Sequence, residues 1–206
     1  MPAPHPTLIL ASGSPQRKRL LADAGYTCHV VVPRPTAECG VCSRETPGEL
    51  VARLARQKAA DVAEQLRGQH RAAAGEVIVA CDTVAECRGQ ILGKPAGRDH
   101  ARRMLELLSG QPHRVYSGLC LWPRWNDQPR IQVAQTTLRM DQLSASQIDE
   151  YLDGGQWQDK SGAFGYQDRA GWLHIVQGSE SNVVGLPLEL LAEMLANCPL
   201  PGNAAP

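Results

Sequence analysis

Aromatic residues are scarce: one Phe, four Tyr and four Trp are spread over 206 positions. A protein that holds single strands by stacking bases needs aromatic platforms, so this composition argues against that class. Charge of one sign is lacking too. Lys plus Arg and Asp plus Glu each total 21, which leaves no basic excess for a nucleic-acid backbone and no polybasic membrane anchor. Any anion gripped here must therefore meet a local cluster of positive groups. Long hydrophobic runs are missing as well. The longest aliphatic stretches, such as Val77–Ala80 and Val183–Leu186, fall far short of the roughly 20 residues of a membrane span. Met1–Thr7 has neither the charged start nor the apolar stretch of a signal peptide. The seven cysteines are an odd number and read as reduced thiols of a cytoplasmic protein. No GxxxxGK[ST] loop is present, which sets aside a P-loop NTPase.

What is present is a 43% hydrophobic chain, enough to bury a real core in one large domain or two lobes sharing a sheet. The expected domain spans 1–206, with a core over about 7–197 and a frayed tail over 198–206. Strand-like and helix-like patterns alternate throughout, which predicts an α/β fold. Strands are expected at Thr7–Ala11, Cys28–Val32, Val77–Cys81, His113–Leu121, Ile131–Arg139 and Leu173–Val176. Helices are expected after Ser14-Pro15, over Thr46–Arg67, Asp99–Leu108, from Ser144 to Gly154, and over Pro187–Asn197. Thr46-Pro47-Gly48-Glu49 has the pattern of a capping box with proline at the first helical position. Arg88-Gly89-Gln90 reads as a hairpin turn. Gly110 reads as a helix stop and Gly118 as a strand accommodation.

Three segments break local rules, and such places are where function is sought. In Ser12-Gly13-Ser14-Pro15-Gln16-Arg17-Lys18-Arg19, Ser14 is the natural N-cap, and three cations then crowd the positive end of the helix dipole. Free amides, a hydroxyl and Arg17 make a phosphate cradle there; a solvated basic helix end is the other reading. Lys58 falls in the middle of the apolar face formed by Leu50, Val51, Leu54, Ala55 and Val62. Either its ammonium snorkels past the helix edge or it points into a cleft to meet an anion. In Val77–Val84 a buried-looking strand ends in Asp82 and Thr83, followed by Gly93-Lys94-Pro95. An Asp beyond a strand end can hold a hard divalent cation or take a proton from water; it can also simply cap a turn. Cys39-Gly40-Val41-Cys42 is a lone CxxC without a second ligand pair, and redox or zinc chemistry centred on it ranks last.

Taken together, these segments resemble the Maf family of nucleotide pyrophosphatases. The match runs from about Leu8 to Leu195 and rests on Leu10–Arg17, Arg53–Ala59, Asp82-Thr83, Ile91–Pro95, Met104-Leu105 and Leu108–Gly110. Lys160–Gln167 and Asn182–Leu188 complete it. The resemblance implies an elongated mixed sheet flanked by helices, of the kind shared by Maf and ITPase proteins, with two lobes, a central cleft and commonly a homodimer. It implies hydrolysis of a nucleoside triphosphate between the α- and β-phosphates, with magnesium or manganese as cofactor and a house-cleaning role. Asp82 matches the proposed general base and metal ligand, and Glu38 is the candidate second carboxylate. Ser14, Arg17, Lys58 and Lys94 match the phosphate site. Relatives acting on dTTP and UTP carry Arg, Thr and Gln at three discriminating positions, which here read Gln16, Thr83 and Gln167. Relatives acting on 7-methyl-GTP carry an aromatic, Gln and Glu there, so the chain is closer to the pyrimidine type, while Gln16 fits neither. Ser161, Phe164 and Asp168 replace the Ala, Tyr and Gly common in such loops, and Asp168 adds a charge beside Gln167. A nucleotide-binding regulator of cell division without turnover is the rival reading of the same pocket.

Overall fold

The structure, a computed structural model, describes residues 6–37, 45–67, 75–126, 128–168 and 171–198. Its centre is one mixed sheet of β1 (Thr7–Leu10), β2 (Cys28–Val30), β3 (Glu76–Cys87), β4 (Gln90–Leu92), β5 (Pro112–Pro123), β6 (Arg130–Met140) and β7 (Leu173–Gln177). The strands run in the order β2-β1-β3-β5-β6-β7, with β4 paired to β3 off this path. β1 is parallel to β2 and β3, and every other pairing is antiparallel. Around it pack α1 (Pro15–Asp23), α2 (Pro47–Gln65), α3 (Arg98–Leu108), α4 (Ala145–Asp153), α5 (Glu180–Val184) and α6 (Leu188–Ala196). This is the α/β mixed sheet expected from the sequence. None of the described helices is long and apolar enough to cross a membrane.

The helices begin where the sequence says they should. Ser14 accepts from the Arg17 amide at the start of α1, with Pro15 at the first helical position. Thr46–Glu49 and Ser144–Gln147 form reciprocal capping boxes for α2 and α4. Gly110 follows α3 with φ at +70°, the left-handed conformation that ends a helix. The five-residue helix α5 went unread, being too short to show a period.

The strand at Val77 does not stop at Cys81, as the sequence suggested, but runs on to Cys87. The polar pair Asp82-Thr83 looked like a terminus because the sheet, rather than the strand, is interrupted there. β1 reaches only Val79 along one edge of β3, and β4 rejoins that edge at Ala85. Residues 80–84 therefore have no strand partner on that side, while β5 continues unbroken along the other. Asp82 is consequently a mid-strand residue and not a turn cap.

Strand alternation then sorts β3 between two faces. Val77, Val79 and Cys81 pack with Leu8, Leu10, Leu119, Leu121, Leu186 and Met194 under α1 and α6. Ile78 and Ala80 pack with Ala55, Ala59 and Val62 of α2, and Val84 with Leu50 and Val51 of the same helix. Beyond the gap, Ala85 and Cys87 join a separate core with Leu105, Leu108, Ile148 and Leu152 of α3 and α4. The sheet thus carries hydrophobic cores at both ends, with the interruption between them.

Gly118 shows how closely α2 lies on the sheet. A Cβ there would sit 2.2 Å from the Val51 carbonyl oxygen and 2.7 Å from the Ala52 amide nitrogen. Backbone cannot give way as a flexible side chain can, so only glycine is compatible with this approach. Gly118→Ala is expected to cost about 3 kcal/mol of stability in urea unfolding, from the overpacking of helix against strand.

Candidate active site

The gap in the sheet opens into a cavity of about 750 Å³. Every site residue expected from the sequence lines it except Glu38, which lies outside the described residues, as do Cys39 and Cys42. Alternation on β3 sends Asp82 toward α2 and Thr83 toward α1 and α5, and the missing neighbour strand lets both reach one space.

Lys58 does not snorkel. Its side chain is 7% exposed, and Nζ donates to Asp82 Oδ1 at 2.5 Å, with the carboxylate 14% exposed. The ammonium on the apolar face of α2 is therefore a directed group whose partner is fixed by the helix–sheet contact at Gly118. Burying two charges costs several kcal/mol per ion before their attraction offsets it, so the pair defines geometry more than it adds stability. Asp82 Oδ2 has no hydrogen-bond partner among the described residues.

Arg17, in the first turn of α1, spans three elements. Nε donates to the Gly185 carbonyl at 2.9 Å, one terminal nitrogen to Ser12 Oγ at 3.2 Å, and the other to Thr83 Oγ1 at 3.4 Å. All three acceptors are neutral, so none of them offsets the guanidinium at the mouth of a helix N-terminus. The Gly185 carbonyl is held because Asn182 anchors α5, donating to Val115 O at 3.3 Å and Thr136 Oγ1 at 2.9 Å. Ser14 is both N-cap and donor to Gln16 Oε1 at 3.2 Å, which ties the exposed Gln16 side chain back over the turn.

The other positive groups are compensated, which the sequence did not reveal. Lys94, 62% exposed, stands 3.7 Å from the exposed Asp159 carboxylate, a contact that contributes little in water. Lys160 also lines the cavity and pairs with Asp168, whose Oδ2 also accepts from the Tyr151 hydroxyl at 2.6 Å. The extra charge of Asp168 beside Gln167 is thus neutralised inside the loop. Gln167 itself has no hydrogen-bond partner among the described residues and faces the cavity.

The loop carrying Lys160 and Gln167 is fastened to the sheet. Ser161 Oγ donates to the Thr83 carbonyl at 2.8 Å and the Gly162 amide to the Gly93 carbonyl at 3.0 Å. The first of these bonds satisfies a β3 carbonyl in the unpaired stretch. Ala163 is fully buried with φ at +62°, a conformation that costs a non-glycine residue about 1–2 kcal/mol and is held by its surroundings. Phe164 meets His113 edge-on at 5.2 Å, and burial holds the His113 imidazole below its ordinary pKa, as a neutral ring.

Sequence reasoning did not single out Lys160, Asp159 and Ser12 as members of the site. Lys160 stood only as the first residue of the matched block Lys160–Gln167, and Ser12 only as a hydroxyl flanking Gly13 within Leu10–Arg17. The five described cysteines, Cys28, Cys81, Cys87, Cys120 and Cys198, are free thiols. Burial raises the Cys81 thiol and pushes Cys120 up to about 12, so neither supplies a reactive thiolate.

The cleft, in a break of the mixed sheet of an α/β protein, gathers four cationic side chains with the mid-strand carboxylate of Asp82 and that of Asp159. The chain is a member of the Maf family: the model of the Maf-like protein family matches residues 7–198. The dTTP/UTP pyrophosphatase of Rhodopirellula baltica is 51% identical over 197 residues, covering 95% of this chain and 84% of that protein. The dTTP/UTP pyrophosphatase of Brucella abortus is 40% identical over 191 residues, covering 92% of this chain and 90% of the other. Among solved structures, the Ham1 protein of Staphylococcus aureus aligns with 93% of this chain and 98% of its own at 12% identity, with a TM-score of 0.48.

Thr83 has a structural duty beside any contact with a ligand. Its hydroxyl is the sole hydrogen-bond partner, among the described residues, of the fully buried Ser117 hydroxyl at 2.8 Å, besides meeting Arg17. Thr83→Val is expected to destabilise the fold by about 1–3 kcal/mol in chemical unfolding, since it strands the Ser117 hydroxyl. Thr83→Ser, which keeps the bond, should lose less than about 1 kcal/mol by the same measurement.

Proposed function

We propose that this chain is a nucleoside triphosphate pyrophosphatase acting on dTTP and UTP, releasing the nucleoside monophosphate and pyrophosphate. The observation that carries the reading is the juxtaposition of Asp82 with Lys58, Arg17, Lys94 and Lys160 around one cavity of nucleotide size. The pyrimidine substrate comes from the relatives' names and from Thr83 and Gln167.

In this reading water attacks the α-phosphorus, the α–β bridging P–O bond breaks, and pyrophosphate carries away the bonding electrons. Asp82 Oδ2 takes the proton from the attacking water while Lys58 holds Oδ1 and so fixes the direction of the carboxylate. Arg17 and the amides after Ser14 bind phosphate oxygens at the helix start. Lys94, freed from the exposed Asp159, follows the charge that builds on the leaving pyrophosphate. Lys160, at the cavity wall, adds positive potential from the side of the base loop.

The residues fit magnesium or manganese held jointly with the substrate. No cluster of three or more His, Cys, Asp or Glu side chains that could hold a metal exists among the described residues. Magnesium commonly takes one or two carboxylates and completes its shell with phosphates and water, which suits the lone Asp82, with Glu38 as a further candidate. When bound, the cation neutralises phosphate oxygens and favours departure of pyrophosphate. The compartment we propose is the cytoplasm, where the five described thiols stay reduced, and a homodimer is the assembly the family resemblance suggests. The balanced net charge supports a small nucleotide as partner in preference to a nucleic acid.

Asp82→Asn is expected to abolish pyrophosphate release while leaving UTP binding measurable by calorimetry; full turnover in that variant removes Asp82 from the mechanism. Lys94→Ala should weaken UTP binding about tenfold and leave UMP binding nearly unchanged, so equal losses for both would count against its role at the distal phosphates. Chelation should stop turnover, and added magnesium or manganese should restore it. A purified protein that binds UTP yet never releases pyrophosphate would instead be a regulator without turnover.

A further inference from the structure

The block Asn182–Leu188 carries no charge, yet Val183, Val184 and Gly185 line the cavity. Asn182, which begins it, does not. It is 1% exposed, and its Nδ2 donates twice, to the Val115 carbonyl at 3.3 Å and to Thr136 Oγ1 at 2.9 Å. Val115 and Thr136 lie opposite each other on β5 and β6, so a single amide bridges a cross-strand pair. A carboxylate could not replace it, because the Val115 carbonyl has no proton to give and the Thr136 hydroxyl donates to the Ser179 carbonyl at 3.2 Å. Asn182 Oδ1 has no partner among the described residues, so the side chain serves through its two donors.

The same clamp continues on both sides of Asn182. Thr136 Oγ1 also accepts from the Ser179 amide at 3.1 Å, and a Cβ at Gly178 would lie 2.8 Å from the Thr136 Cα. The chain leaving β7 is thereby pinned to β6 just before α5 begins. At the other end of α5, Gly185 has φ at +123°, and its amide closes onto the Ser181 and Asn182 carbonyls, both at 3.1 Å. That turn aims the Gly185 carbonyl at Arg17 Nε, 2.9 Å away, and the Cys81 thiol donates to the same oxygen at 3.2 Å. Of the five N–H groups of a guanidinium, Gly185, Ser12 and Thr83 hold three, which leaves one on each terminal nitrogen. The remaining pair suits the forked grip that arginine makes on a phosphate.

We propose that Asn182 is a positioning residue that clamps α5 to the sheet, sets the Gly185 carbonyl, and through it directs the two remaining N–H groups of Arg17 at the polyphosphate. A carboxylate in place of that carbonyl would hold the guanidinium but offset its charge; the carbonyl holds it and leaves the charge for the ligand. Without the clamp the carbonyl shifts and the guanidinium with it, so the effect on binding passes through Arg17. The inference rests on Arg17 being a phosphate group of the nucleotide site, and the following experiment separates the two.

The α,β-methylene analogue of UTP, whose α–β bridge resists cleavage, is titrated calorimetrically with magnesium into the full chain, Asn182→Ala, Arg17→Ala and the double variant. Thermal melts verify folding, and Lys58, Lys94 and Lys160 are expected to keep the affinity of Arg17→Ala measurable. Asn182→Ala should weaken the analogue about tenfold, on the order of one hydrogen bond to a charged group, but less than about twofold once Arg17 is alanine. Thr136→Ser, which keeps the acceptor for Nδ2, should stay within about twofold of the wild type, and Thr136→Val, which removes it, should bind about threefold more weakly. The Thr136 variants, crossed with Arg17→Ala in the same way, decide the matter if Asn182→Ala does not fold. Equal losses with and without Arg17, or no loss in the folded variants, make the clamp merely structural and overturn the proposal while the nucleotide site stands. Coupled losses in a protein that releases no pyrophosphate from UTP uphold the positioning role and overturn the pyrophosphatase reading. A wild type that does not bind the analogue overturns both.

Discussion

The contact of α2 with the bare backbone of Gly118 is the constraint from which the site follows. Because no side chain separates helix from strand there, Val51 rests on β5 and the helix lies low across β3. Lys58, two turns further along α2, then reaches Asp82, the residue paired with Gly118 across the sheet. Glycine on one strand and carboxylate on the next are thus two halves of one arrangement. A bulkier residue at 118 would lift the helix and part the ammonium from the carboxylate.

The second organising feature is the interrupted edge of β3. A continuous neighbouring strand would satisfy the backbone over residues 80–84 and close the space that the side chains share. Its absence leaves polar backbone that other groups must answer, and Ser161 does so at Thr83. The bond that satisfies the strand also locates the loop bearing Lys160 and Gln167, so fold and site are fixed by the same contact.

Much of this was legible in residue order. The caps at Ser14, Thr46 and Ser144 announced three helix starts, and the strand-like stretches located six of the seven strands. Asp82 was singled out correctly as a residue out of place, but for the wrong reason: one sequence cannot show that a neighbouring strand is missing, so a gap in the sheet reads as the end of a strand. Lys58 on an apolar face left two readings open, because periodicity gives a direction for a side chain and not its partner. The pairs Lys94–Asp159 and Lys160–Asp168 were beyond reach for a related cause. They join residues whose proximity depends on loop conformation, including the left-handed backbone of Asp159 and Ala163, which no period encodes.

Two of the longest strands, β3 and β5, pass without interruption from one hydrophobic core to the other. A molecule with its halves joined by a short linker can bend there like a book; one whose halves share two long, paired strands resists such bending. Enclosure of a ligand must then come from the rim, from the segments around Lys94 and Lys160. Such a protein admits and releases its guest by moving side chains and loops while its frame stays still.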